Sequence, residues 1–273
     1  MTDKTIAFEI LERALAAAKA DEADAAYIAV DHNISRFANS QLHQNMSEES
    51  ASLTLRVVIG GAMGVATTTV FDEDEIQRTA EIARETAKHS NAVPGFAGLY
   101  RDNEPLPHVD GFDEETAALA PMEKALALRA MFDRGTDVTF AGAYASGATA
   151  VAVGNTHGVR RYARSTFADA TVIAIGQNGS GYATSRQQSA SRVDVRALGE
   201  EAMLKATLAS DRVEDLEPGA YDVILEPPAL AEVFDWLNMI ALTGQSYEDG
   251  SSFFVGNLGK QILGDNFTLL DDA

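Results

Sequence analysis

The stretch that most constrains the fold lies between residues 137 and 188, where small and β-branched residues dominate. It contains the runs VTFAGAYASGATAVAV and VRRYARSTFADATVIAI, with a turn at Gly154–Gly158 between them. A second turn region, GQNGSGYA, follows the second run. Strand-forming runs joined by short glycine turns are typical of hairpins. We therefore predict an antiparallel meander, which argues against an alternating βαβ fold.

Helices are predicted on both sides of this meander because apolar residues there recur at helical spacing. Asp72 and Glu75 form a capping box at the start of one of them, and Pro121 suits the first turn of another, which Gly135 would end. That helix is expected to run through Met122, Leu126, Leu128 and Phe132. The predicted helices cover residues 5–19, 73–89, 121–134, 194–209 and 228–242.

Two hairpins are predicted before residue 72. The first joins AAYIAVD to ISRFANS, with His32 and Asn33 in the turn, and the second joins residues 51–59 to VATTTVF through a glycine-rich turn. Further strands are predicted at 219–225 and near 267–270. This order of elements predicts an α+β fold in which helices pack on antiparallel sheets.

A long connection separates the two halves of the chain. Residues 90–119 hold three prolines, glycines that include Gly95 and Gly98, and scattered acids, as a connecting segment does. We therefore predict two domains. Residues 1–110 form an N-terminal α+β domain of one helix, two hairpins and one helix, and residues 111–273 form the start of a second, β-rich domain.

Charge and composition exclude several classes of function. With 21 Lys and Arg against 41 Asp and Glu, the formal net charge is −20, so phosphate backbones and anionic membranes are repelled. Nucleic acid and membrane are therefore not expected as partners. Cysteine is absent, which removes thiolate ligands and cysteine nucleophiles. Charged residues interrupt the first apolar stretch, so no signal peptide is predicted and a cytoplasmic location is expected.

No catalytic residue can be assigned from the sequence. The five histidines are scattered and none forms an HExxH motif or a pair at i, i+4. The glycine clusters stand between strands, where a turn explains them better than a phosphate loop. A hydrolase whose metal or nucleophile escapes these patterns stays an alternative.

The most distinctive polar stretch is RFANSQLHQ at residues 36–44. A strand end followed by a turn explains it, because Asn and Ser favour turns. The alternative is a surface that receives a partner or an extended peptide by strand addition, since an unpaired strand would lie beside hydrogen-bonding side chains. The candidate residues for that surface are Arg36, Asn39, Ser40 and Gln41.

Five blocks of sequence resemble the TldD/PmbA family, also called TldD/TldE, and occur in the family's order. They are RFANSQLHQ, LRVVIGGAMGVATTT, VAVGNTHGVRR, EPGAYDVILEPPALAEVF and DGSSFFVGNLGKQILGDNFTLLDDA. The resemblance implies a two-domain α+β protein of a cytoplasmic peptidase assembly that matures peptides or degrades unfolded polypeptides. In that assembly, a TldD subunit carries zinc and pairs with a TldE (PmbA) subunit.

The zinc motif of TldD-type chains, HExxxH, is missing from this sequence. The resemblance places the first histidine, the glutamate and the second histidine of this motif at Asp235, Trp236 and Ile240, in that order. Zinc requires several imidazole, thiolate or carboxylate ligands that converge, and one aspartate does not supply them. Trp236 and Ile240 are expected to be buried on the apolar side of a helix. We therefore predict a chain of the TldE/PmbA type, without catalytic residues, metal or cofactor of its own.

The resemblance also implies what the chain works with. The expected partner is a TldD-type subunit that carries the zinc, with self-association as an alternative, and the expected substrate is a peptide. Family members continue beyond the point where this sequence ends, so a shortened second domain is expected. A stand-alone peptide-binding or interaction module, without an enzymatic partner, remains an alternative.

Overall fold

The computed structural model describes residues 3–102, 104, 109, 111–135, 137–210, 217–262 and 264–270. The chain divides into two compact units, residues 1–214 and 215–273. The domain boundary predicted near residue 110 falls inside the first unit, in the connection before the third helix, and it stays a prediction.

The first unit combines one antiparallel sheet with helices. Its strands are β1 (Glu22–Ala38), β2 (Gln41–Ile59), β3 (Ala62–Thr68), β4 (Thr139–Asn155), β5 (Arg160–Ile175) and β6 (Ser180–Gln187). Its helices are α1 (Lys4–Ala18), α2 (Glu73–Lys88), α3 (Glu114–Ala117), α4 (Pro121–Phe132) and α5 (Val195–Ser210). The predicted α+β class and the meander β4–β6 are confirmed.

The six strands lie in the order β3-β2-β1-β4-β5-β6. β1 and β4 pair from Asp24 opposite Asn155 to Phe37 opposite Gly142, and this pairing joins the two halves of the sheet. Alternate residues of a strand point to opposite faces. The odd-numbered β1 side chains, such as Tyr27 and Phe37, enter the apolar cores formed with the helices. The helices that the structure describes in this unit therefore cover one face of the sheet, and none of them covers the other, which we call the open sheet face.

Two separate cores lie under the helices. The first is formed by α1 and α2 over β1, β2 and the end of β4, with Leu11, Leu53 and Ile76 fully buried. The second is formed by α4 and α5 over β4, β5 and β6, with Phe140 and Leu128 fully buried. Burial of such side chains stabilises a fold by about 1.5–3 kcal/mol each.

The first hairpin turns at a different place from the one predicted. His32 and Asn33 lie inside β1, and the chain reverses at Asn39 and Ser40, whose φ angles are +51° and +55°. Two consecutive positive φ angles are those of the two-residue turn that matches strand twist, and asparagine tolerates this conformation. The second predicted hairpin is confirmed, with the same kind of turn at Gly60–Gly61.

The second unit contains α6 (Pro227–Ala241) and α7 (Gly244–Glu248). The strands predicted at 219–225 and 267–270 are wrong, because these residues form no regular structure. A strand requires a hydrogen-bonding partner, and the described part of this unit contains no strand that could pair with them.

The burial predicted for α6 is also wrong. Trp236 and Ile240 are 57% and 61% exposed, and among the residues of α6 that the structure describes only Ala241 is buried. Their apolar pattern is present, but no described element of this unit covers that side of the helix. The ring of Phe234 does stack on Phe267, with centroids 5.5 Å apart.

Candidate functional site

The turn between β1 and β2 is fixed to the start of β4. The Ser40 backbone N–H donates to the Phe140 carbonyl at 2.9 Å, and the Phe140 N–H donates to Ser40 Oγ at 3.0 Å. Ser40 is half-buried, whereas Asn39 is exposed. Of the predicted surface residues, Ser40 therefore has a structural role that fixes the position of the turn.

Arg36 and Gln41 lie on the exposed side of this hairpin. Arg36 reaches Gln44 with 3.5 Å between Nη1 and Oε1, which is a weak contact between two exposed side chains. A register shift between Arg36 and Phe37 marks a bulge, which turns Leu42 to the same side as Phe37. The structure therefore places the four candidate residues around one hairpin end, with Arg36 and Gln41 accessible.

A groove of about 470 Å³ lies between this hairpin end and α4. Ser40, Gln41 and Leu42 line one side, and exposed apolar side chains of α4 line the other. Met122 and Leu126 are 68% and 63% exposed.

The outer edge of β2 is free next to this groove. β3 pairs with β2 only at Leu53–Ile59, so residues 41–52 of β2 have no strand on their outer side in the described part of the chain. β1, the strand that leads into residues 36–44, is paired on both sides, so the expectation that this strand is unpaired is wrong, and the free edge belongs to β2. A free edge with exposed backbone groups can accept an additional strand. We call the groove and this edge the hairpin-edge site.

A buried lysine, which the sequence reasoning missed, lies behind the hairpin-edge site. Lys124 of α4 is 1% exposed, and its Nζ donates to the Asn33 carbonyl at 2.8 Å and to Ser146 Oγ at 3.0 Å. Burial lowers the pKa of Lys124 to about 8, although the nearby Asp31 opposes this shift.

The sequence does contain a signal for this lysine. Lys124 stands four residues before Leu128 and seven before Met131, both buried, and this spacing places the three side chains on one face of the helix. The buried face of α4 is therefore the face of Lys124, and Met122 and Leu126 point to solvent.

A second polar cluster joins the start of β1 to the β4–β5 turn. Glu22 accepts from the Leu99 N–H at 3.0 Å, from Arg101 at 2.9 Å, and lies 2.7 Å from His157 Nε2. These partners, with the Leu99 N–H as the largest cause, hold the pKa of Glu22 below its usual value. The cluster secures the connection after α2 and offers no free nucleophile.

The residues at the zinc-motif positions do not form a metal site. Asp235, Trp236 and Ile240 are all exposed on α6. In the residues that the structure describes, no group of three or more His, Cys, Asp or Glu side chains could hold a metal. A zinc ion with four-coordinate geometry does not fit one aspartate beside two apolar side chains.

No helix within the described residues has both the length and the apolarity needed to cross a membrane.

Three family models match the chain in sequence order. The model for PmbA/TldA metallopeptidase domain 1 matches residues 23–87, the central-domain model matches 111–209 and the C-terminal-domain model matches 218–273. The chain belongs to the PmbA/TldD family. In the family's division, the first domain model covers β1 to α2, and the central-domain model covers α3 to α5. A search of curated proteins finds no significant match.

Solved structures of low sequence identity share the fold of this PmbA/TldD family member. A candidate modulator of a DNA gyrase from Thermotoga maritima matches with TM-score 0.76, at 18% identity over 93% of this chain and 60% of its own. A candidate modulator of DNA gyrase from Bacteroides thetaiotaomicron matches with TM-score 0.80, at 15% identity over 96% and 62%. TldE from Thermococcus kodakarensis matches with TM-score 0.73, at 14% identity over 92% and 58%. This chain thus spans about three fifths of their length.

Proposed function

We propose that this chain is a non-catalytic, TldE/PmbA-like component of a cytoplasmic metallopeptidase assembly that acts on peptides or unfolded polypeptides. Its partner is a TldD-type subunit, which carries the zinc, and this chain carries none. Family membership supports the proposal, as does the unsuitable residue set at Asp235, Trp236 and Ile240.

We assign the hairpin-edge site to binding of an extended segment of the TldD-type subunit. The free edge of β2 is the observation that carries this assignment. An extended chain can pair with residues 41–52 through backbone hydrogen bonds, which do not depend on its sequence. Met122 and Leu126 provide apolar contacts for alternate side chains of that added strand. Arg36 and Gln41 add polar contacts at its end.

Two variants test this surface without disturbing the turn. Arg36→Ala with Gln41→Ala removes the polar contacts, and Leu126→Asp adds a charge to the groove. Asn39 and Ser40 are left unchanged because their positive φ angles and the Phe140 hydrogen bonds hold the turn. Leu204→Asp is the control, since Leu204 is a similarly exposed leucine on α5.

Each variant is titrated with a zinc-bearing TldD-type subunit, and melting curves are recorded in parallel. We expect the groove variant to weaken the complex about tenfold, because it opposes burial of an apolar contact, while stability changes by less than about 0.5 kcal/mol. The Leu204 control should bind normally. Equal binding by all variants would remove the hairpin-edge site from the proposal.

A further inference from the structure

Two aromatic rings stack on the face of the sheet that the described helices do not cover. The rings of His32 on β1 and Phe167 on β5 stack with centroids 5.8 Å apart and planes at 23°. Gly147 of β4 lies between them in the strand pairing. A Cβ at Gly147 would come within 2.9 Å of the Phe167 ring and 2.1 Å of the Asp31 carbonyl oxygen. This mid-strand glycine therefore makes room for the stacked rings.

An open pocket of about 500 Å³ adjoins these rings where β6 ends. Its lining includes Phe167, two residues that carry hydroxyls, Thr149 and Ser165, and two arginines, Arg186 and Arg192. The Arg186 guanidinium carbon lies 5.6 Å from the centre of the Phe167 ring, which is within range of a cation–π contact. The pocket is thus lined by an aromatic residue together with residues that carry hydroxyl and guanidinium donors.

The charge of the pocket is opposite to that of the protein as a whole. None of its lining side chains carries a carboxylate, although the formal net charge of the chain is −20. Arg186 lies 3.5 Å from Asp169, which is outside the lining, and 74% of the arginine side chain stays exposed. Arg192 makes no ion pair among the residues that the structure describes. At least one guanidinium is therefore available to an external anion.

We propose that this pocket binds the carboxylate of a peptide, with a flat or apolar group of the same ligand resting on Phe167. Guanidinium groups pair with carboxylates through two parallel hydrogen bonds, and hydroxyls donate to the remaining lone pairs. A C-terminal carboxylate and an acidic side chain share this chemistry. The pocket is separate from the hairpin-edge site, but the choice of a peptide as the carrier of the carboxylate rests on the proposed function.

The full chain is titrated alone, by NMR or calorimetry, with hippurate and with hippuramide, its neutral amide. Hippurate carries an aromatic ring and a carboxylate, whereas hippuramide keeps the ring and the shape without the charge. The variant Arg186→Gln with Arg192→Gln removes the guanidinium groups, and Phe167→Leu removes the ring. Arg196→Gln is the matched control, because Arg196 is an exposed arginine on α5 outside the pocket.

We expect hippurate to bind in the millimolar range and hippuramide about tenfold more weakly, because charge-assisted hydrogen bonds are lost. The double arginine variant should lose hippurate binding to a similar extent, Phe167→Leu should weaken it, and Arg196→Gln should not. Equal binding of both probes, no binding of hippurate, or an equal loss in the Arg196 control would overturn the proposal.

Two acetylated peptides then distinguish the sources of the carboxylate. One ends in a free C-terminus and contains no acidic residue, and the other carries a glutamate and ends in an amide. Preference for the first assigns the pocket to peptide ends, and preference for the second assigns it to acidic side chains. Failure of both peptides to bind would contradict the proposal. None of these titrations includes a TldD-type subunit, so their failure leaves the proposed assembly role intact.

Discussion

Ser40 and Phe140, which are 100 residues apart in sequence, exchange two hydrogen bonds between the first hairpin turn and the start of β4. The connection fixes the turn at the end of a sheet whose halves come from distant parts of the chain. The groove beside α4 and the free edge of β2 begin at this turn. The geometry of the hairpin-edge site therefore depends on these two residues.

We expect Ser40→Ala to lower the free energy of unfolding by about 1–3 kcal/mol, because the Phe140 N–H loses its acceptor. Chemical denaturation measures the change. Ser47→Ala, at an exposed position of β2, is the control and should have little effect. If both variants were equally stable, the hydrogen bond to Phe140 would not contribute to the turn.

Lys124→Met should change how stability depends on pH. The folded-state pKa of Lys124 is about 8, below its usual 10.5, so the unfolded chain binds more protons between these values. The contribution of Lys124 to the free energy of unfolding therefore becomes more favourable as pH rises through this window.

Denaturation at several pH values from neutral to alkaline measures this effect. The stability of the natural chain relative to Lys124→Met should rise with pH, by at most about 3 kcal/mol. A constant difference between the natural chain and Lys124→Met would contradict the lowered pKa.

Glu22→Gln tests the cluster with Leu99 and His157. A carboxyl whose folded-state pKa is lowered contributes stability above its usual pKa of 4.5, and this contribution is lost as pH falls. The natural chain should thus be more stable than Glu22→Gln at neutral pH, and the difference should shrink in acid. Thermal melts from neutral to acidic pH, with exposed Glu49→Gln as the control, measure it. A difference that grows in acid would refute this assignment.

Several elements follow from local sequence signals. Asp72 caps α2 by accepting from the Glu75 N–H, and Gly60–Gly61 forms the predicted turn, because caps and turn residues act over a few positions. The length of β1 does not follow, since its pairing with β4 comes from residues more than a hundred positions away. Local propensity alone therefore favours a turn at His32 and Asn33. In the structure, pairing with distant residues of β4 keeps the strand continuous there.

The candidate site was predictable in part. The polar stretch at 36–44 marks the hairpin end, but its division into structural Ser40 and accessible Arg36 depends on Phe140, which is remote in sequence. The same limit applies to α6. The apolar stripe of α6 indicates a buried face. Whether Trp236 is buried depends on which other elements pack on the helix, and its exposure in the structure does not follow from the stripe.

Trp236 is the single tryptophan of the chain, so its fluorescence reports on α6 alone. At 57% exposure, we expect red-shifted emission that iodide quenches. Trp236→Ala should destabilise the chain by less than the 3–5 kcal/mol typical of a buried tryptophan, because little packing is lost. A blue-shifted spectrum that resists quenching would show that α6 is covered in solution.

The most direct test of the account measures zinc and peptide cleavage for this chain alone, for a TldD-type subunit alone, and for their mixture. We expect this chain to hold no stoichiometric zinc and to cleave nothing by itself. We further expect the mixture to form a complex in which cleavage depends on both chains. Stoichiometric zinc in the dialysed chain, together with chelator-sensitive cleavage by that chain alone, would contradict these expectations.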